Sequence, residues 1–328
     1  MARVLSGIQP TGDIHLGNYL GAVRQWVDDQ HIQDSYFCAV DLHALTVPRD
    51  PAELRAKTLE TIVLLVAAGL DPDVCTLFVQ SHVHEHAELC WLLESVASMG
   101  ELRRMTQFKE KAGDDQESAR LALFAYPVLQ AADILLYDAE LVPVGEDQRQ
   151  HLELCRDLAL RFNHRYGETF VVPQAALPTV GARVMDLQRP TAKMSKSSES
   201  PQGTVLVLDD PATIERKFKR AVTDTGTDVE FDPQTKPGVS NLLAIFGAAT
   251  GRQPAQLADG YSQYGPLKAD VAEAVIELLR PVRERYTELI SDPDAVRATL
   301  GRGAEKAQAV ASVTLARAQA AVGLLPRD

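Results

Sequence analysis

Strand-like and helix-like stretches alternate along the first two-thirds of this chain, and that alternation restricts its fold more than any other feature. Arg3 to Ile8 is a short, mostly apolar run that ends in Gln9-Pro10-Thr11-Gly12, a turn cluster. A helical pattern follows, with Leu20, Val23, Trp26 and Val27 at three- and four-residue spacing. Tyr36-Phe37-Cys38-Ala39-Val40 is aromatic and β-branched and reads as a buried strand. Asp50 can cap the next helix, Pro51 suits its first turn, and Gly69 is a C-terminal stop. Thr76 to Val79 is another strand, two or three helices occupy about 85 to 137, and Leu141 to Val144 is a short strand. A helix over about Glu146 to Phe162 and a strand at Thr169 to Val172 complete the series. Strands that alternate with helices pair in parallel through right-handed crossovers, so the expected fold class is α/β, a doubly wound, Rossmann-like parallel sheet. Such sheets bind ligands at the carboxyl ends of their strands. After Leu208 strand signals fade, and helices are expected over Pro211 to Ala221, Val239 to Ala249, Ala269 to Arg285 and Asp294 to Val322. The predicted organisation is therefore a sheet domain over 1–190, with a helical insertion at about 85–137, and an all-helical domain over 191–328 whose last helix returns to the first domain.

Composition narrows the class. In 328 residues, 33 Lys and Arg face 45 Asp and Glu, a net charge of −12. That balance argues against coating DNA by bulk charge and leaves room for a local basic surface. No run of 18 apolar residues and no secretory leader is visible, so a cytoplasmic protein without a membrane span is expected. Cys38, Cys75, Cys90 and Cys155 are scattered and form no C-x-x-C pair, so they read as reduced thiols rather than metal ligands.

Two segments carry the chemistry. Pro10-Thr11-Gly12-Asp13-Ile14-His15-Leu16-Gly17-Asn18 joins the first strand to a helix. Its glycines let backbone approach a ligand, and the helix N-terminus offers N–H groups to an anion. A helix-capping turn with a surface histidine is the plainer reading. About 175 residues later, Lys193-Met194-Ser195-Lys196-Ser197 lies in a Ser-rich stretch between Pro190 and Pro201. Two lysines three apart can neutralise a polyphosphate as it becomes a leaving group. A solvated basic loop is the alternative.

Together, in this order and on this architecture, the segments resemble the two ATP motifs of class I aminoacyl-tRNA synthetases. Within the class the sequence resembles the bacterial tryptophanyl-tRNA synthetase family. Ser6 to Gly12, Arg104 to Lys109, Ala131 to Tyr137, Val144 to Gln148, Val222 to Asp224 and Lys236 to Leu243 carry that resemblance from end to end. It implies ATP-dependent activation of L-tryptophan, with pyrophosphate release, followed by transfer to the 3′-terminal adenosine of tRNA(Trp). It also implies Mg2+ with the ATP, a homodimer built through residues 85–137, and an anticodon-binding role for the helical domain.

The resemblance carries residue roles too. His15, Lys111, Lys193 and Lys196 would stabilise the phosphates, and Gln9, Pro10, Thr11, Gly17, Asn18, Gly145, Glu146, Asp147, Val184, Met194, Ser195 and Ser197 would line the ATP site. Asp133 would accept the indole N–H, a donor with no acceptor capacity. A helix-surface aspartate is the plainer reading, and a carboxylate would also accept a phenol, so Asp133 alone does not separate tryptophan from tyrosine. Tyr126 and Gln148 would meet the α-amino group, while Gly7, Val142 and Val144 wall the pocket. Leu5 and Gln130 border it where many relatives carry an aromatic residue and Met. A tyrosyl-tRNA synthetase, a paralogue that activates without charging, and a smaller nucleotidyltransferase are the competing readings.

Two further clusters stand out. His82-Val83-His84-Glu85-His86 has the composition of a metal site, but lies where a strand ends and a helix begins, and no metal site is expected. Ile214 to Arg220 carries four basic residues and one acid, and reads either as a solvated helix face or as a phosphate-contacting patch.

Overall fold

The structure, a computed structural model, describes residues 1–112, 119–145, 148–176, 183–195, 200–226 and 228–326, without the side chains of Lys111 and Ala112. Five parallel strands form one sheet: β1 (Arg3–Ile8), β2 (Asp34–Ala39), β3 (Thr76–Val79), β4 (Leu141–Pro143) and β5 (Gln174–Ala176), in the order β3-β2-β1-β4-β5. The order reverses between β1 and β4, the place where a doubly wound sheet opens a crevice. The expected α/β class is the one found.

Fourteen α-helical segments are described: α1 (Leu16–Asn18), α2 (Arg24–Asp29), α3 (Asp41–Ala44), α4 (Pro51–Ala67), α5 (Glu85–Glu94), α6 (Met99–Arg103), α7 (Thr106–Ala112), α8 (Leu121–Leu136), α9 (Arg149–Tyr166), α10 (Pro211–Lys219), α11 (Pro237–Thr250), α12 (Pro254–Ala258), α13 (Tyr264–Ile290) and α14 (Pro293–Val322). Local chemistry sets their ends. The Asp50 carboxylate accepts from the Ala52 and Glu53 N–H groups, and Gly69 leaves α4 at φ +120°. The helix after β1 is less regular than its periodicity predicts: a π-helical turn, Tyr19–Val23, separates α1 from α2.

Side chains alternate across each strand, so the sheet feeds two cores. Phe37, Leu77 and Val79 point to one face, where they join Leu16, Leu65, Val239, Leu243 and Val275. Leu5, Tyr36 and Phe78 point to the other, against Leu93, Ile134, Tyr137 and Phe162. The helical half of the chain thus packs directly on the sheet. Its last helix, α14, lies along β3 and α5, with Gly303 close to the Leu77 carbonyl and Lys306 donating to the Pro72 carbonyl at 2.6 Å.

Three expectations need correction. Residues 85–137 hold four α-helical segments among the described residues, α5 to α8, rather than two or three. Thr169 to Val172 is not a strand, and β5 begins at Gln174. The Asn163 side chain of α9 accepts from the Thr169 and Phe170 N–H groups and donates to the Phe170 carbonyl. Phe170 packs on Phe162 with ring centroids 4.8 Å apart. That backbone is satisfied by a side chain, so the apolar run needs no strand partner. The helix expected from Glu146 begins at Arg149, and residues 146–147 lie outside the described residues.

Candidate active site

A cavity of about 1070 Å³ opens at the carboxyl ends of β1, β2 and β4. All eight residues expected around the amino acid border it: Leu5, Gly7, Tyr126, Gln130, Asp133, Val142, Val144 and Gln148. Gln9 and Ser195, expected at the nucleotide, border it as well. Space at Gly7 is tight: a Cβ there would stand 3.1 Å from a Val40 methyl.

Asp133 projects from α8 and is 4% exposed. Its Oδ1 accepts from Gln80 Nε2 at 2.7 Å and pairs with His86 Nδ1 at 2.6 Å; its Oδ2 pairs with His43 Nε2 at 2.8 Å. Burial pushes this carboxyl up, but the His43 ring beside it and the hydrogen bonds from His43 and His86 outweigh burial and hold it well below the usual carboxylate range. A carboxylate oxygen has two lone pairs. Oδ1 is therefore filled and Oδ2 keeps one acceptor position. The partners are held in turn. Leu42 N–H donates to Gln80 Oε1 at 3.1 Å, and Ser81 N–H and Oγ donate to Asp41, which fixes α3 and its His43.

Sequence reasoning missed His43 and Gln80 as partners of this carboxylate. They lie 90 and 53 positions from Asp133. The available signal was their placement just after β2 and β3, where a doubly wound sheet presents its ligand-binding residues. Gln107 and His151 were missed likewise. The Tyr126 hydroxyl donates to Gln107 Oε1 at 3.0 Å and lies 2.8 Å from His151 Nε2. Burial, with the Glu110 carboxylate, pushes Tyr126 up to about 12, so it stays a phenol.

The nucleotide motifs meet although far apart in sequence. His15 caps α1: its Nδ1 accepts from Asn18 N–H at 3.2 Å, and Asn18 Oδ1 accepts from His15 N–H at 3.3 Å. The plainer capping role and a place in the motif thus coincide, and His15 is buried rather than on the surface. A Cβ at Gly17 would touch the His15 ring at 3.1 Å and the Met194 Cβ at 3.6 Å. Thr204 Oγ1 donates to the Ser195 carbonyl, and the next residues run against the first motif, Leu16 N–H donating to Val205 and Val207 N–H to Ile14. Met194 is a buried core side chain whose N–H donates to the Val184 carbonyl at 3.1 Å. Asn241 of α11 clamps the Met185 backbone with two bonds of 2.9 Å. Lys193 is exposed, and Pro10 is buried beside the half-exposed Thr11. Gly145 is exposed just past β4. Glu146, Asp147, Lys196 and Ser197 lie outside the described residues, as does the Lys111 side chain.

The histidine cluster does not converge. His86 spends both ring nitrogens, on Asp133 and on the Tyr137 hydroxyl, while the His84 ring is largely exposed. Among the described residues no three His, Cys, Asp or Glu side chains could hold a metal ion. In the basic run, Lys217 is buried and paired with Asp209 at 2.6 Å. Arg216, Lys219 and Arg220 remain on the surface. None of the helices is long and apolar enough to cross a membrane, among the described residues. The four cysteines are free thiols, and burial pushes Cys75 up to about 11.

Comparison with known proteins agrees with this geometry. A family model described as tRNA synthetases class I (W and Y) matches residues 1–280. Tryptophan–tRNA ligase 1 of Streptomyces coelicolor is 57% identical over 99% of this chain and 98% of its own length. Tryptophan–tRNA ligase of Caldanaerobacter subterraneus is 53% identical over the whole of both. Among solved structures, tryptophanyl-tRNA synthetase of Mycoplasma pneumoniae superposes with a TM-score of 0.89 at 35% identity, covering 99% of this chain and 98% of its own. That of Campylobacter jejuni, complexed with ADP and tryptophan, gives 0.86 at 34% identity over 98% of this chain and all of its own. With its parallel sheet, its two apposed nucleotide motifs and a matching model over most of its length, the chain belongs to the class I tRNA synthetases of the W and Y family.

Proposed function

We propose that this protein is a tryptophan–tRNA ligase: it activates L-tryptophan with ATP, releasing pyrophosphate, and transfers the tryptophanyl group from the adenylate to the terminal adenosine of tRNA(Trp), releasing AMP. The observation that carries this reading is Asp133, a buried carboxylate on the cavity wall with one uncommitted acceptor position. The indole N–H is a donor that fits it; a phenol would fit as well, so the choice of tryptophan rests also on the walls and the relatives. Leu5, Val142 and Val144 supply the apolar walls around a ring. Relatives named tryptophan–tRNA ligase at 50–57% identity support the same substrate over tyrosine.

The first step is an in-line attack of the tryptophan carboxylate on the α-phosphate of ATP. A carboxylate is already a nucleophile, so positioning and charge stabilisation do the work. Tyr126 and Gln148 border the cavity together and would hold the α-amino group. Gln9, Pro10, Thr11, His15, Gly17 and Asn18 would hold ATP, with Gly145, Glu146 and Asp147 at the adenosine and Val184 at the base. Lys193, Lys196 and Lys111 would neutralise the departing pyrophosphate, with Met194, Ser195 and Ser197 as the loop that carries them. Mg2+ would arrive on the ATP phosphates. The described residues offer no three-ligand cage for it, so no step is routed through a protein-held metal.

The division near residue 190, an anticodon-reading role for 191–328, cytoplasmic location and a homodimer belong to the same reading. Trp91, Met99 and Leu121, on α5, α6 and α8, are 74%, 60% and 77% exposed, which supports a partner on the 85–137 face. ATP–pyrophosphate exchange with tryptophan and with tyrosine tests the substrate. Exchange driven by tryptophan is expected, and exchange driven equally by tyrosine would overturn the assignment.

A further inference from the structure

The proposed role of Asp133 needs a carboxylate that does not rotate, and the structure contains a device for holding it. Tyr137 is 0% exposed and packs between Tyr36 and Phe78, with ring centroids 4.9 and 5.4 Å away. Its hydroxyl lies 2.8 Å from His86 Nε2, its hydrogen-bond partner among the described residues. Burial raises the phenol far above its ordinary value, so the oxygen keeps its proton. A buried O–H needs an acceptor, and His86 Nε2, 2.8 Å away, is the one the geometry supplies. The ring proton must then sit on Nδ1, where it donates to Asp133 Oδ1. Gln80 fills the second lone pair of the same oxygen.

We propose that Tyr137 and His86 are positioning residues for the amino-acid substrate: Tyr137 fixes the His86 tautomer, and His86 locks Asp133 so that the open lone pair of Oδ2 faces the indole N–H. This rests on Asp133 being the indole acceptor. Neither residue borders the cavity, so both act through the carboxylate. Freeing the tautomer lets the ring turn its lone pair on Oδ1, and the carboxylate then swings to find another donor.

The test compares tryptophan with its benzothiophene analogue, β-(benzothiophen-3-yl)alanine, which keeps the shape and lacks the N–H. Tyr137→Phe should lower kcat/KM for tryptophan about tenfold, the scale of a hydrogen bond to a charged group. The loss should fall mainly on KM for tryptophan, with KM for ATP and the values for the analogue unchanged. A packing role would move both substrates equally, and that result overturns the proposal. His86→Asn keeps an N–H at the Nδ1 position and should retain the preference for tryptophan, whereas His86→Gln should lose it. This pair carries the test if Tyr137→Phe does not fold. Adding Tyr137→Phe to His86→Asn should cost nothing further, and additive losses would show that Tyr137 does not act through His86. If the unmodified enzyme shows no preference for tryptophan over the analogue, Asp133 is not the acceptor and both readings fall. A preference that survives Tyr137→Phe and His86→Gln overturns this proposal alone.

Discussion

Asp133 decides most of the chemistry at the scale of single residues. Three donors surround its carboxylate, and removing it leaves His43, His86 and Gln80 with buried N–H groups aimed at nothing. Each such group costs about 1–3 kcal/mol. Asp133→Ala should therefore abolish tryptophan-dependent pyrophosphate exchange and also lower stability by several kcal/mol, measured by urea unfolding. Full exchange activity in that variant would refute its role. The position of Asp133 was legible in the sequence because a carboxylate stands inside the apolar run from Val128 to Leu136. Its partners were not, since 53 and 90 residues separate Gln80 and His43 from it and only the sheet brings them together. His86 drew attention for the wrong reason: three histidines in five positions suggest ligands, while one of them is a buried hydrogen-bond relay.

Among the elements, α6 is fixed at its N-terminus and tied to α9 by Glu101. Its carboxylate closes the box with Ser98 and takes two bonds from Arg161 of α9. The Arg161 hydrogen bond outweighs burial and holds Glu101 below its ordinary pKa. A depressed carboxylate stabilises the fold fully above its unfolded pKa of about 4.3, and that contribution is lost as pH falls through the lower folded value. Glu101→Gln should thus cost about 1 kcal/mol at pH 7, given its partial exposure, and less at pH 3. Urea melts at the two pH values check the difference, and an equal cost at both would contradict it. The element α14 offers a sharper case. A Cβ at Gly303 would lie 1.9 Å from the Leu77 carbonyl, which is backbone and cannot step aside. Gly303→Ala should therefore separate α14 from β3 and cost about 2–4 kcal/mol, read as a drop in Tm. Periodicity foretold α4 and α14 because caps and apolar spacing are local signals. It misplaced β5 because nothing local announces that Asn163 will satisfy the backbone of Thr169 and Phe170.

At the scale of the whole molecule, the net charge of −12 excluded bulk attraction to nucleic acid, yet the family binds a tRNA. Global acidity and one shaped RNA partner are compatible where contacts are few and local. Arg216, Lys219 and Arg220 are surface candidates for such contacts; Lys217, bound to Asp209 inside the core, is not. The proposed homodimer is testable at the exposed Trp91: the unmodified protein should sediment as a dimer at micromolar concentration and Trp91→Glu as a monomer, and a monomeric unmodified protein or an unchanged dimer would contradict this placement of the interface. On the proposed function, this sheet, its paired nucleotide motifs and the Asp133 pocket join tryptophan to its tRNA. The direct measurement is charging of unfractionated bacterial tRNA with labelled tryptophan and labelled tyrosine side by side. Acid-stable attachment of tryptophan, with tyrosine at background, is the predicted result. Attachment of tyrosine, or tryptophan-dependent pyrophosphate exchange with no attachment to tRNA, would contradict it.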